Sequence, residues 1–108
     1  MLVTYICVTY PSSMRLLATD ILYDLKGRDA DARSGIESWE AEVKEEHWKN
    51  PHELKSRYPK ASILGNQNVI FDIRGGRYRL WVRVEYKSGI VVVKKAGTHK
   101  EYEKWDIV

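Results

Sequence analysis

Apolar and polar positions alternate from residue 68 to residue 94 in three runs separated by turn residues. The first run is Asn68-Val-Ile-Phe-Asp-Ile73, the second Tyr78-Arg-Leu-Trp-Val-Arg-Val-Glu-Tyr86, the third Ile90-Val-Val-Val-Lys94. A period of two predicts strands. Gly75-Gly76, flanked by Arg74 and Arg77, predicts a two-residue hairpin, because both turn positions need positive φ. Lys87-Ser88-Gly89 turns the chain again. Three consecutive antiparallel strands follow.

Register sorts the side chains. With Gly75 and Gly76 as the turn, Asp72 faces Arg79 and Ile70 faces Trp81, and opposed residues share a face. Val69, Phe71, Ile73, Tyr78, Leu80, Val82, Val84 and Tyr86 make one face, apolar enough to be a core. Asn68, Ile70, Asp72, Arg77, Arg79, Trp81, Arg83 and Glu85 make the other. A two-residue second turn adds Lys94 to that polar face; a three-residue turn adds Lys95 instead. Cations beside an aromatic ring suit a polyanion.

Upstream the period changes to three and four. Residues 14–18 form a short strand, then Thr19 or Asp20 caps a helix that stops at Gly27. Residues 28–33 read as a charged connector. Ser34 and Glu37 have capping-box spacing and open a second helix with an apolar stripe of Ile36, Trp39, Val43 and His47. Asn50 caps a third helix with Pro51 at its first position. Leu54 and Tyr58 point inward, and Pro59 ends the helix. Thr98 and Glu101 form another capping box, which places His99 in the first turn of a C-terminal helix and Tyr102 one turn on. Trp105 and Ile107 pack the tail down. Neither helices nor sheet can bury an apolar stripe alone, so the fold class is α+β, with N-terminal helices on the apolar face of the sheet.

The 108 residues suit one domain with a modest core. Residues 1–13 are β-prone and uncharged, and read as an N-terminal extension or extra strand before a domain at 14–108. They lack the basic n-region and cleavage site of a signal peptide. No apolar run approaches the ~18 residues of a transmembrane helix. A single cysteine, Cys7, excludes an internal disulfide and a cysteine zinc cage, and fits a reducing cytoplasm. The net charge is +3, unevenly spread. Residues 1–60 hold 9 Lys/Arg against 10 Asp/Glu, and residues 61–108 hold 9 against 5. The strand half is the positive half, and such a field attracts nucleic acid.

His99 is the titratable group best suited to proton movement near neutral pH, with Tyr102 one turn away as a hydrogen-bonding partner. A plain helix-terminal histidine is the competing reading. Arg79 has its own competitor, a cross-strand salt bridge to Asp72, yet Arg77, Arg79 and Arg83 outnumber the acids beside them. His47 is a packing residue and His52 lies on exposed helix surface. No histidine pair has metal-ligand spacing, and no cofactor is implied.

Five motifs in order, Trp48-Lys-Asn-Pro51, Ala61-Ser-Ile-Leu-Gly-Asn66, Val69-Ile-Phe71, Tyr78-Arg-Leu80 and Thr98-His-Lys-Glu-Tyr102, resemble the HigB family of toxins from type II toxin–antitoxin modules. The resemblance runs from about residue 14 to residue 106. It implies a RelE-like fold, a small antiparallel sheet packed on N-terminal helices with a short C-terminal helix. It also implies a metal-independent, cytoplasmic, ribosome-dependent mRNA endonuclease and a HigA-type helix-turn-helix antitoxin. In that chemistry the 2′-hydroxyl of the message attacks the adjacent phosphate. On the two-face reading Arg79, His99 and Tyr102 are the catalytic candidates. Arg77, Trp81, Arg83, Lys94 and Lys95 are the RNA-binding ones, with Trp81 able to stack on a base, although a tryptophan in a sheet is more often packing. Two alternatives use the same residues differently: a non-catalytic basic module that binds RNA or the ribosome, and an interaction domain working through the helices.

Overall fold

A short polar residue precedes every helix, and its side chain decides where most of them start. In the computed structural model residues 14–107 are described; the N-terminal extension expected at 1–13, with Cys7, lies outside them. Helix α1 (Asp20–Arg28) follows Thr19, α2 (Ala30–Glu45) follows Asp29, α3 (Pro51–Arg57) follows Asn50, and α4 (His99–Tyr102) follows Thr98. The Asn50 side chain accepts from the Glu53 N–H at 2.9 Å, with Pro51 at the first position. The Thr98 hydroxyl accepts from the Glu101 N–H, and the Glu101 carboxylate accepts from the Thr98 N–H. Both caps match the sequence reading.

The first two helices depart from it. Helix α2 begins at Ala30 and not at Ser34, because the Asp29 carboxylate accepts from the N–H groups of Asp31 and Ala32. The supposed connector is therefore helical from Ala30 onward, and Ser34 and Glu37 lie inside the helix. Helix α1 passes through Gly27; the break falls at Asp29, whose backbone is extended. His47 lies beyond the end of α2 and beside Gly89, off the helical stripe. Ala32, Ile36, Trp39 and Val43 form the buried side of α2.

Five strands make one sheet in the order β1 (Arg15–Leu17), β5 (Ile90–Thr98), β4 (Tyr78–Glu85), β3 (Asn68–Ile73), β2 (Ser62–Ile63). Strands β2 to β5 are antiparallel neighbours, and β1 adds a parallel edge against β5, making the sheet mixed. The hairpin register is the predicted one: Asp72 opposes Arg79 and Ile70 opposes Trp81. Gly75 and Gly76 take φ of 68° and 93°. The second turn is longer than expected, since Glu85 pairs with Ile90. A β-bulge lies further along: Trp81 opposes Lys95 while Val82 opposes Val93, so Lys94 is the extra residue. Lys94 shares a shallow depression with Arg83 and Val92, the residue opposite Arg83. Both lysines are thus exposed on the polar face, because a bulge takes up one residue without reversing the alternation that follows.

The apolar face is covered by the N-terminal helices. Val69, Phe71, Leu80, Val82, Val84, Val91 and Val93 are buried with Leu22 and Leu25 of α1 and Ile36, Trp39 and Val43 of α2. Phe71 is the hub of the aromatic part. Its ring lies 5.3 Å from Trp39, 6.1 Å from Trp48 and 5.0 Å from Tyr58. Helix α2 reaches the hairpin through a missing side chain: a Cβ at Gly35 would sit 2.6 Å from Ile73 Cγ2 and 2.8 Å from Arg74 Cγ. Gly35→Ala gains about 1 kcal/mol of helix propensity and loses about 1–3 kcal/mol to overpacking. A net loss is expected, read as a lower denaturation midpoint with unchanged m-value.

Candidate functional site

The C-terminal end of β5 and the start of β4 bring together the three residues of the catalytic reading. Arg79 opposes Gly97, one residue before the Thr98 cap of α4. Its guanidinium lies 4.8 Å over the Tyr102 ring. The Arg79 Nε is 3.3 Å from Asp72 Oδ1 and donates weakly to the Gly76 carbonyl at 3.4 Å. Both members of the Asp72–Arg79 pair are partly buried, at 25% and 18% side-chain exposure, which makes this geometry more constrained than a surface ion pair. With Nε committed, the two terminal nitrogens of the fork are the ones left for an incoming anion. Next along, the Tyr102 and His99 rings are 6.2 Å apart, and His99 Nε2 is 3.2 Å from Glu103 Oε2. The His99 backbone N–H donates to the Arg77 carbonyl at 2.9 Å, tying α4 to the hairpin.

Further along the polar face stand Arg83, Lys94 and Lys95. Arg83 Nε donates to the Asn66 carbonyl at 3.1 Å. Four positions along a strand separate Arg79 from Arg83, about 13 Å at 3.3 Å per residue, with Lys95 opposite the residue midway between them.

Two expectations need correction. Trp81 is only 7% exposed. Its Nε1 donates to Asn68 Oδ1 at 2.9 Å, and the Trp105 ring covers it at a centroid distance of 6.5 Å. Its ring is thus occupied as packing under the tail and is not presented for a base to stack on. Arg77 belongs to the hairpin turn and not to the row with Arg79; its Nη1 pairs with Asp31 Oδ2 of α2 at 2.8 Å. Arg74 shares the same carboxylate at 2.6 Å.

The α1–α2 junction holds the rim through Arg28, Asp29 and Asp31. The Tyr78 hydroxyl donates to Asp29. Asp31 takes Arg74 and Arg77. Arg28 reaches Glu101 of α4 at 3.2 Å. Each carboxyl is held below its ordinary range: Asp29 chiefly by the Tyr78 hydroxyl, Asp31 by Arg74 and then Arg77, Glu101 by the Thr98 N–H and then Arg28. The Tyr78 phenol is pushed up to about 12 by the same bond to Asp29. Gly97 completes the fit, since a Cβ there would sit 2.7 Å from Glu101 Oε1 and 3.1 Å from Trp105 Cζ2.

Asp72, Glu103 and Trp105 are the site residues that sequence reasoning passed over. Asp72 was visible as the cross-strand partner of Arg79 and was set aside as a salt bridge. Glu103 stands four residues after His99, a helical spacing that was legible. The contact of Trp105 with Trp81 has no local signal. Among the described residues no group of three or more His, Cys, Asp or Glu is placed to hold a metal ion, and no helix is long and apolar enough to cross a membrane.

Fold and site define a small α+β protein that covers one sheet face with helices and carries Arg79, Arg83, Lys94 and Lys95 on the other, where Asn68, Ile70 and Trp81, expected on an open face, are themselves buried. The chain belongs to the HigB toxin family, described as the RelE-like toxic component of a toxin–antitoxin system, which matches residues 32–105. It is a toxin of such a pair, and its partner is an antitoxin. No curated protein matches the chain.

The lowered carboxyl groups set a pH dependence. Groups with folded pKa values below their unfolded ones stabilise the fold above the unfolded value, about pH 4 for Asp. That stability is lost as pH falls through the lower folded values. Thermal unfolding measured from pH 7 to pH 3 is expected to show the melting temperature falling at the acid end. In Asp31→Asn it starts lower at pH 7 and falls less on acidification; an unchanged melting temperature and slope would remove Asp31 from the account.

Proposed function

We propose that this toxin is a metal-independent mRNA endonuclease that cuts messages on the ribosome and arrests growth, and that a HigA-type helix-turn-helix antitoxin neutralises it in the cytoplasm. The reading is supported by family membership and by one observation above the others. Arg79 is gripped by Asp72 and Tyr102 within the same small rim as His99. Transesterification of RNA needs those parts: a cation on the phosphate that gains charge, and groups that take and return a proton.

In the proposed reaction the 2′-hydroxyl gives up its proton and its oxygen bonds to the adjacent phosphorus. The bond from phosphorus to the 5′-oxygen breaks, and that oxygen receives a proton. The products are a cyclic phosphate and a free 5′-hydroxyl. Arg79 stabilises the pentacoordinate phosphate through the fork nitrogens left open by its bond to Asp72. His99 and Tyr102 divide proton transfer and substrate positioning, and Glu103, 3.2 Å from His99 Nε2, orients the imidazole ring. Arg83, Lys94 and Lys95 hold the flanking backbone by charge.

Arg79→Ala and His99→Ala are each expected to relieve growth arrest and to lower cleavage by roughly 10²-fold or more, with the melting temperature little changed. Arg79→Lys keeps the charge but loses the planar fork and the stack on Tyr102, so cleavage is expected to stay well below wild type. Primer extension on a translated message reads both. Full toxicity of the two alanine variants at normal protein levels would refute the assignment, and protection of the message without cuts would point to a binding module.

A further inference from the structure

A cavity of about 260 Å³ lies where α3 meets the edge of β3, and the reaction proposed above makes no use of it. Its walls are Tyr58, Pro59, Ala61 and Phe71, with the exposed Arg57 and Lys60 and the site residue Asp72 completing the lining. We infer that this cavity receives one unstacked nucleobase of the substrate RNA, that of a nucleotide beside the cleaved phosphate. The inference rests on Arg79 as the phosphate-binding group.

Size comes first. A dry cavity of about 150 Å³ accepts a benzene ring, so this one has room for a planar heterocycle. Its chemistry comes next. The half-buried Tyr58 ring is the aromatic wall open to a base, with Phe71, only 1% exposed, closing the floor behind it; stacking on such a ring tolerates any of the bases. Tyr58 and Phe71 meet edge to face at 5.0 Å. The polar edge of a base also has partners here. Strand β2 pairs with β3 only at Ile70 and Val69, so the ladder on that side stops short of Asp72. An unpaired strand edge offers N–H and C=O groups to whatever lies against it.

Position commits the occupant. Asp72 lines the cavity and also grips Arg79, its cross-strand partner. Opposed residues in such a pair have Cβ atoms about 5 Å apart. Phe71 faces the helices while Asp72 faces Arg79, so a nucleotide chain rounding the unpaired β3 edge at Asp72 joins the cavity to the guanidinium. Charge agrees on balance. Arg57 is shared by Glu42 and Glu46, at 3.5 and 3.0 Å. Lys60 forms no ion pair among the described residues and is free to meet a phosphate. A side chain of the antitoxin is the competing occupant; the Arg79 neighbour and the unshared Lys60 favour the nucleotide.

Ala61→Leu fills the cavity, and Lys60→Ala removes the exposed cation with no core change. Purified toxin is titrated with the four nucleoside 5′-monophosphates and followed by amide NMR shifts. Shifts are expected at residues 58–61 and 71–72, with binding about tenfold weaker in Ala61→Leu and about threefold weaker in Lys60→Ala. In translated messages Ala61→Leu is expected to flatten base preference at the nucleotide beside the cut. Shifts confined to Arg79, Lys94 and Lys95, or none at all, would overturn the inference. So would an Ala61→Leu protein that binds nucleotides normally but escapes its antitoxin. Nucleotide binding at the cavity in a wild-type protein that cuts no message would sink the endonuclease and leave the base site standing. Lys60→Ala, on the surface, keeps the titration decisive if Ala61→Leu does not fold.

Discussion

The two-residue period of β4 is the constraint on which the domain depends. Leu80, Val82 and Val84 must be buried against the helices for the chain to fold at all, and that requirement turns Arg79, Trp81 and Arg83 to the other side. Burying each of these apolar side chains stabilises the fold by about 1.5–3 kcal/mol. A register slip of one residue would instead place guanidinium groups under α1 and α2, at a cost that no surface contact could offset. Selection for a core therefore also orders the cations. What remains open to variation is how each one is held, and Arg79 is held most closely.

The helical layer does more than cover the sheet. Within four residues at the α1–α2 junction, Arg28, Asp29 and Asp31 reach α4, the start of β4 and the hairpin turn in that order. These are the segments that surround Arg79. None of the three bonds is deep in the core, so each alone contributes modestly. Together they fix the rim to the end of a helix, and sites held by regular elements are better defined than sites on free loops.

Much of this was legible in the chain because strand register and helix caps are local. The Gly75-Gly76 turn set the Asp72–Arg79 pairing, and the Thr98–Glu101 spacing placed His99 and Tyr102. The errors have two causes, a local cap overlooked and contacts between segments far apart in the chain. Asp29 offered no capping-box partner and so was passed over in favour of Ser34, although a lone aspartate caps as well. Trp81 stayed open between stacking on a base and packing, because nothing in residues 78–86 announces that Trp105 covers it. The Arg28–Glu101 contact joins residues 73 apart, and no periodicity carries that information. Family membership gives the partner class, while the roles proposed for individual residues rest on geometry.

The bulge at Lys94 places the one irregularity of β5 inside the ladder, where neither turn has to absorb it. Residues 95–98 keep their inward and outward sense on one side of it, and residues 90–93 keep theirs on the other. Losing one lysine from the pair would restore a regular ladder, with no side chain forced into the core. The length of this strand is therefore an adjustable quantity: a single-codon deletion here removes one positive charge and leaves the facing of its neighbours intact, a kind of change that elsewhere in a sheet would invert everything downstream.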